Sequence, residues 1–351
     1  MSKHIVMLGA GAVGGYVGGS LAASGHDVTL IDFWHDHVEA IRERGLEISG
    51  MEGDGQQILR AETLHFHEAS ELARRRPVDI AFISVKSYDT EWISTMIRPY
   101  LAPGGFLVSL QNCVNEEAIA RAVGWGRTVG CVVSRISVAL FEPGRIRRTA
   151  EKGKAGHTVF KFGEVHGRTT PRVEELARLF APIDSAAVTT NLWGERWSKL
   201  SQNSMRGPLA AATGLNSKGI DRNDRLRHLA LRIGCEAALI GKANGFHFEK
   251  IDSIDSNLFA RAGSGDDAAF RELDQLTIEK SARDTRSEMQ RPSMGQDMMK
   301  GRRTEIDFMN GFIIQKGQEI GMSAPINSLV LDAVKRIERG DLTASPENFD
   351  G

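Results

Sequence analysis

HIVMLGAGAVGGYVGGSLAASGHDVTLID, His4 to Asp32, is the stretch that decides the fold. His4–Leu8 reads as a buried strand, apolar without a break from Ile5 to Leu8. Gly9, Gly11 and Gly14 follow at once, a helical pattern runs from Ala12 to about Ser24, Gly25 stops it, and a second strand from Asp27 to Ile31 closes on Asp32. A GxGxxG in the order strand, turn, helix, strand is the arrangement that cradles a pyrophosphate. Gly9 permits the tight turn, Gly11 lets the backbone approach a phosphate, and Gly14 and Gly18 let the helix lie close to the sheet. The first turn of the helix, with Ala12 and Val13, then offers unpaired N–H groups and the positive end of the helix dipole. Gly9, Gly11, Ala12, Val13 and Gly14 are therefore the expected cofactor-binding residues.

Asp32 lies 21 residues after Gly11. A carboxylate at the end of the second strand accepts hydrogen bonds from a ribose 2′-hydroxyl and repels a 2′-phosphate. In the following FWHDHVEAIRERG there is no Arg or Lys before Arg42. The cofactor expected is NAD. The alternative is NADP, with Asp32 capping a helix that starts near His35 and a basic group elsewhere taking the phosphate.

Working outward, strands and helices alternate. VDIAFISVK (Val78–Lys86) reads as a strand, Tyr88 to Tyr100 as a helix, GGFLVSLQN (Gly104–Asn112) as a strand, and Asn115 to Val123 as a helix; TVGCVVSRISVAL follows. Such alternation specifies a parallel, doubly wound sheet of the Rossmann type, in which ligands sit at the carboxyl ends of the strands. Lys86 and Asn112 each lie at such an end. FEPGRIRRTAEKGKAGHTVFKFGEV reads as a hairpin with a basic, glycine-rich connection that completes the domain, and AAVTTNLW marks its boundary, giving a dinucleotide-binding domain over 1–190 and a helical domain over 191–351.

The second half carries helical periodicity only. ERWSKLSQNSMRGPLAAATG places Lys199 and Asn203 one helical turn apart, with Trp193 and Trp197 just upstream, and Arg206-Gly207-Pro208 breaks the pattern. TEIDFMNGFIIQKGQEIG puts Ile306, Met309, Ile313 and Ile320 on one face, ended by Gly321, and the tail DLTASPENFDG reads as frayed. SMGQ and TEID fit capping boxes, which would put Ser293 and Glu305 at two helix entries, where anions such as a substrate carboxylate are attracted. Each also suits a plain cap or a first-turn acid.

Bulk composition narrows the classes. The chain has 351 residues, enough for two domains, with 44 basic and 45 acidic side chains and a formal net charge of -1. That balance gives no electrostatic case for nucleic acid or an anionic membrane surface. There is no signal-peptide pattern and no long uninterrupted apolar run. Cys113, Cys131 and Cys235 are far apart and form no metal-ligand spacing, so they read as reduced cytosolic thiols, and neither a metal nor a membrane partner is expected.

Five segments, GAGAVGG, SVKSYDT, LQNCVNEE, WSKLSQNSMRGPLAA and PSMGQDMMKGRRTEIDFMNGF, resemble in order and spacing the ketopantoate reductase (2-dehydropantoate 2-reductase) family over almost the whole chain. The resemblance implies a dinucleotide-binding domain followed by an all-helical one, with the active site in the cleft between them. It implies NAD(P)-dependent hydride transfer between the nicotinamide and a 2-oxo acid/2-hydroxy acid pair, in a cytoplasmic protein that can be a homodimer. By matching position, Lys199 is similar to the catalytic lysine and Glu305 to the glutamate paired with it. Asn112 and Lys86 correspond to residues near the nicotinamide and cofactor, and Asn203 and Ser293, with Asn112, to substrate-binding positions. An ammonium suits the chemistry, because hydride addition builds negative charge on a carbonyl oxygen.

Three positions of the substrate pocket depart from the family pattern. Cys113 stands where the family has glycine, Gly207 where a second asparagine is common, and Gln290 where an asparagine often precedes the serine. Asp32 replaces the basic residue of NADPH-using members, and extra helical sequence lies around 240–290. A family dehydrogenase acting with NAD on a different substrate is thus the alternative to a strict ketopantoate reductase. A non-catalytic dinucleotide sensor would need only the first domain's motif, and a flavoprotein would need a further dinucleotide motif.

Overall fold

Strand β1 (His4–Leu8) is buried along its whole length, and its side chains alternate between two cores. Ile5 and Met7 point to one face, against Tyr16, Val17 and Leu21 of α1 (Ala12–Ala23). Val6 and Leu8 point to the other, against Ile93 and Ile97 of a later helix. A strand covered on both faces must read as a continuous apolar run, which is why HIVML carries no polar alternation.

The computed structural model describes residues 3–50, 55–134, 136–149, 152, 158–283 and 291–350. The chain divides into two units, 1–192 and 193–351. In the first, α1 is followed by β2 (Asp27–Asp32), α2 (His35–Arg44), β3 (Leu46–Ser49), β4 (Gln56–Leu59) and β5 (Glu62–His65). Then come β6 (Val78–Ile83), α3 (Thr90–Ile97), β7 (Leu101–Ser109), α4 (Glu116–Val123) and β8 (Thr128–Val133). The unit ends with β9 (Val138–Glu142), β10 (Arg145–Arg148), β11 (Phe160–Glu164), α5 (Pro171–Phe180) and β12 (Ala186–Val188). The main sheet has eight strands in the order β12-β11-β8-β7-β6-β1-β2-β5, parallel from β8 through β5, with β11 antiparallel to β8. Leu8 pairs with Ile31 on one side and Ile83 on the other. The chain therefore winds away from β1 in both directions, and the crevice at such a switch point opens just beyond Leu8 and Ile83.

Several local expectations shift. The strands ending at Lys86 and Asn112 stop at Ile83 and Ser109, so both polar residues lie in loops. The helix expected over 88–100 is α3 with a 3₁₀ turn at each end, because Pro99 has no N–H to continue it. The expected hairpin is also corrected. β10 and β11 belong to different sheets, and the tight turn is at Pro143-Gly144, between β9 and β10. β10 joins an unforeseen four-stranded sheet, β4-β3-β10-β9, whose Ile146 and Leu46 pack under Gly15 and Gly19 of α1.

The described residues of the second unit form helices α6 (Leu192–Thr213), α7 (Ser217–Arg222), α8 (Asp224–Ala243) and α9 (Ser256–Gly263). After them come α10 (Asp267–Ala282), α11 (Ser293–Met299), α12 (Ile306–Gln318) and α13 (Pro325–Glu338). The break expected at Arg206-Gly207-Pro208 does not occur, since α6 runs on to Thr213 with Pro208 inside it. Pro208 has no N–H to give the carbonyl four residues earlier, Ser204 O. Asn310 of α12 supplies a donor there instead, at 3.4 Å. The same amide donates to Asn327 Oδ1 at 3.0 Å, and Asn327 donates to the half-buried Glu236 at 2.8 Å, so buried asparagines on α12 and α13 and a carboxylate on α8 form a chain of bonds behind the proline turn. Ile320 falls beyond α12 and is exposed, because the chain turns back through Gly321 N–H to Gln318 O and Met322 N–H to Gly317 O. The tail is held: Ser345 N–H donates to Ala212 O at 3.0 Å and Phe349 is buried.

Asn310→Leu removes the surrogate donor and strands both Ser204 O and Asn327. Loss of about 2–4 kcal/mol is expected in urea unfolding of the full chain. A change below about 0.5 kcal/mol would show that the proline turn does not depend on this amide.

Candidate active site

Each unit carries one set of the expected site residues. In the first unit the glycine loop leaves β1 with Gly9 at φ +94°, and Gly9 N–H donates to Ile31 O at 2.8 Å. A Cβ on Gly14 would stand 1.9 Å from Gly9 O, so only glycine lets α1 start this close to the turn. A Cβ on Gly11 would meet no protein atom within 4 Å. Packing therefore does not demand glycine at Gly11, and open space over the first turn of α1, where Gly11, Ala12 and Val13 sit, suits a phosphate held by backbone N–H groups.

Asp32 ends β2 beside this loop. Its Oδ2 accepts the Ala10 N–H at 2.7 Å and its Oδ1 accepts the Trp34 N–H at 2.9 Å. It does not act as the N-cap of α2, whose cap is Trp34. Arg42, the first basic residue downstream, is engaged elsewhere: its guanidinium donates to Thr63 O at 2.9 Å, to Glu39 at 3.0 Å and to Glu68. Those bonds, to Glu68 above all, hold Arg42 above its ordinary pKa.

His37 escaped the sequence reading. It is buried, its Nδ1 accepts the Gly144 N–H at 2.9 Å, and its Nε2 lies 2.8 Å from Ala10 O. Since the backbone N–H can only donate, the ring proton sits on Nε2 and is given to Ala10 O. The ring thus ties the glycine loop to the β9–β10 turn. No motif signals such a role; the signal was only a histidine on the apolar face of α2.

Lys86 and Asn112 sit in half-buried loops beyond β6 and β7. Buried Gln111 braces these loops, donating to Val85 O at 2.8 Å and to Thr90 Oγ1 at 2.7 Å. Asn115 adds bonds to Asn112 O at 2.7 Å and Ser87 Oγ at 3.2 Å. Cys113 adopts φ +64°, a left-handed conformation that glycine takes without the steric cost a Cβ brings. This is the physical reason a glycine suits that position.

In the second unit Lys199 and Asn203 are half-buried on one face of α6, while Trp197, Leu200, Met205 and Leu209 are buried. Trp197 stacks on Phe246 with ring centroids 5.2 Å apart, and Phe312 lies at 5.8 Å. Arg206, one turn beyond Asn203, donates to Asp221 at 2.7 Å and Asp252 at 3.0 Å. Burial opposes its charge, but the Asp252 and Asp221 carboxylates more than offset this and hold the guanidinium above its ordinary pKa.

Ser293 is the first residue of α11, not its cap. The cap is Pro292, which has no N–H, so the expected reciprocal box cannot close, and Gln296 turns to Arg291 O at 2.9 Å instead. Ser293 is exposed, and its neighbour Met294 would stand 3.9 Å from a Cβ on Gly207. Gln290 lies outside the described residues. Glu305 is buried and is itself the N-cap residue of α12, so the cap falls one position later than the Thr304 of the box, while Thr304 Oγ1 accepts the Ile306 N–H at 3.3 Å. α6 is thus the common support: α11 meets it at Gly207 and Ala210, and α12 at Ser204. A cavity of about 860 Å³ in this unit, beside Lys242, Phe246, Lys250 and Asn257, includes none of these residues.

Comparisons with known proteins bear on both units. Residues 5–164 match the family model "Ketopantoate reductase PanE/ApbA", and residues 191–338 match "Ketopantoate reductase PanE/ApbA C terminal". A 2-dehydropantoate 2-reductase of Pyrococcus horikoshii is 31% identical over 336 residues, covering 95% of this chain and 97% of that one. Among solved structures, a PanE/ApbA family ketopantoate reductase of Ralstonia eutropha superposes with a TM-score of 0.77 at 24% identity, covering 96% of this chain and 99% of that one. A D-mandelate dehydrogenase in complex with NADH and anilino(oxo)acetate superposes with a TM-score of 0.78 at 20% identity and the same coverage. At these identities the two structures speak for the fold alone. Among the described residues no helix is long and apolar enough to cross a membrane.

His37→Ala strands Ala10 O and the Gly144 N–H. Binding of the reduced pyridine nucleotide, followed by its fluorescence, is expected to weaken about tenfold, equal to about 1.4 kcal/mol. Unchanged affinity in a folded variant would mean that the ring does not hold the loop.

Proposed function

The chain belongs to the ketopantoate reductase family of pyridine-nucleotide-dependent oxidoreductases, and from that premise we propose that it interconverts a 2-oxo acid and its 2-hydroxy acid with NAD(H), using Lys199 as general acid. The observation that carries the reading is the face of α6. Lys199 and Asn203 are half-buried on a helix whose other side is packed with Trp197, Leu200 and Met205. A positioned lysine there is more than a solvated surface charge.

The first unit's residues fit a dinucleotide: Gly11 leaves the start of α1 open, and Asp32 ends β2 beside it. The pyrophosphate is assigned to the N–H groups of the first turn of α1, a ribose hydroxyl to Asp32, and the nicotinamide end to Lys86 and Asn112. Held there, a reduced nicotinamide would supply hydride chemistry toward the carbonyl carbon of the 2-oxo acid. The Lys199 ammonium stabilises the charge growing on the carbonyl oxygen and delivers its Nζ proton there, so the product is the neutral hydroxyl. Glu305 favours the charged lysine, as a nearby carboxylate does. Asn203 and Ser293 hydrogen-bond the substrate, and the exposed Ser293 hydroxyl at the head of α11 is not tied up as a cap.

Two features support a cofactor and substrate unlike those of a strict ketopantoate reductase. Asp32 repels a 2′-phosphate, and Arg42 is tied to Glu68, Glu39 and Thr63. Gly207 has room for a side chain, with Met294 at ordinary contact distance from its missing Cβ. The pocket then suits a 2-oxo acid bulkier than ketopantoate.

Assay at 340 nm of a panel of 2-oxo acids with each cofactor checks both points. kcat/KM is expected to be higher with NADH than NADPH, and higher with bulkier 2-oxo acids than with ketopantoate. Preference for NADPH, or selective turnover of ketopantoate, overturns the corresponding half of the reading.

Lys199→Ala is expected to lower kcat by about 10²–10⁴ with cofactor affinity and folding intact. Adding Glu305→Gln to it should cost little more, because the two residues act as a unit. Turnover of Lys199→Ala within a few-fold of wild type would remove the assignment.

A further inference from the structure

Among the described residues, and outside those assigned above, one cluster of His and Glu side chains has the chemistry of a metal-ligand site. His35 and Glu39 are four residues apart on α2 and so share a face. His65 ends β5, paired in register with Asp32 of β2, which brings it under that face. One ring nitrogen of each histidine and a carboxylate oxygen of Glu39 all lie within 4.8 Å of one another. We propose that His35, Glu39 and His65 form a binding site for a divalent first-row transition cation of the Zn²⁺ type.

Donor chemistry sets the metal class. Two imidazoles and one carboxylate suit zinc and its neighbours, whereas Mg²⁺ and Ca²⁺ prefer all-oxygen shells. Zinc bonds of about 2.0–2.2 Å in tetrahedral geometry require donors roughly 3.4 Å apart. His35 and Glu39 are both exposed, so theirs are the side chains that turn to close this distance. His65 is the fixed member. It is buried, and its ring stacks between His35 and His67, 5.0 Å from each with interplanar angles of 12° and 14°.

Charge around the cluster fits as well. Glu39 accepts from His65 Nε2 at 2.7 Å and from Arg42 at 3.0 Å, so its carboxylate already lies against the buried ring. Arg42 is the cation that would oppose a metal, yet it also binds Glu68, which keeps its charge compensated when Glu39 turns to the ion. Bound metal would clamp the first turns of α2 to the end of β5, next to the segment that carries Asp32.

The test is titration of the tag-free full-length protein with ZnCl₂ by calorimetry at neutral pH, with thermal unfolding in parallel. Saturable binding of one Zn²⁺ per chain is expected, with a rise in Tm and no displacement by MgCl₂. His35→Ala and Glu39→Gln change exposed side chains only, and each should weaken binding at least about tenfold. His166→Ala, at an exposed histidine elsewhere, should not. Absence of saturable binding, wild-type affinity in either cluster variant, or equal weakening in His166→Ala would overturn the proposal.

Discussion

The corner between β1 and β2 is the constraint on which the first unit depends. β1 has no free face, so any ligand must be met beyond its carboxyl end, where Gly9 turns the chain. That turn cannot hold itself, because a glycine-rich loop has many accessible conformations. It is held by side chains: Asp32 takes the Ala10 N–H at 2.7 Å, and His37 lies 2.8 Å from Ala10 O. One residue of the loop, Ala10, is thus gripped through both its N–H and its C=O by residues of β2 and α2. The acidic group that is expected to read the ribose is also a structural support of the phosphate loop, which couples cofactor choice to loop geometry.

A related economy operates in the second unit. α6 carries Lys199 and Asn203, and its packed side is aromatic and aliphatic. Pro208 removes one backbone donor in the C-terminal half of this long helix, and the helix continues because Asn310 reaches Ser204 O. Arg206 pins the helix a second time through Asp221 and Asp252. Both supports lie within about two turns of the proposed catalytic residue. A rigid helix places an ammonium more consistently than a loop would, and general acid catalysis depends on that placement.

Much of the fold was legible because its signals are local. The strand, glycine turn, helix and acidic strand end of residues 4–32 are each set by near neighbours in the chain, and the structure places them at nearly the expected bounds. Where local rules failed, a tertiary partner had intervened. Pro208 did not end α6 because a distant amide replaced the lost donor. Ser293 did not cap α11 because Pro292 took that place without an N–H to offer. The tail did not fray because Phe349 found a buried site.

The sequence by itself determined the doubly wound architecture, the phosphate loop and the helical character of the second half, because periodicity and turn chemistry are properties of contiguous residues. Only the tertiary structure decided what holds those parts in place. His37 and Gly144 are 107 residues apart, Asn310 and Ser204 are 106 apart, and Glu39 meets His65 across 26. No local pattern encodes such pairings, since a buried histidine or asparagine reads the same in sequence whether it fills space, bridges two backbones or faces two other metal-ligating side chains. The pairings arise when sheet order and helix packing bring the residues together, and the low-dielectric interior then makes each of their hydrogen bonds costly to lose.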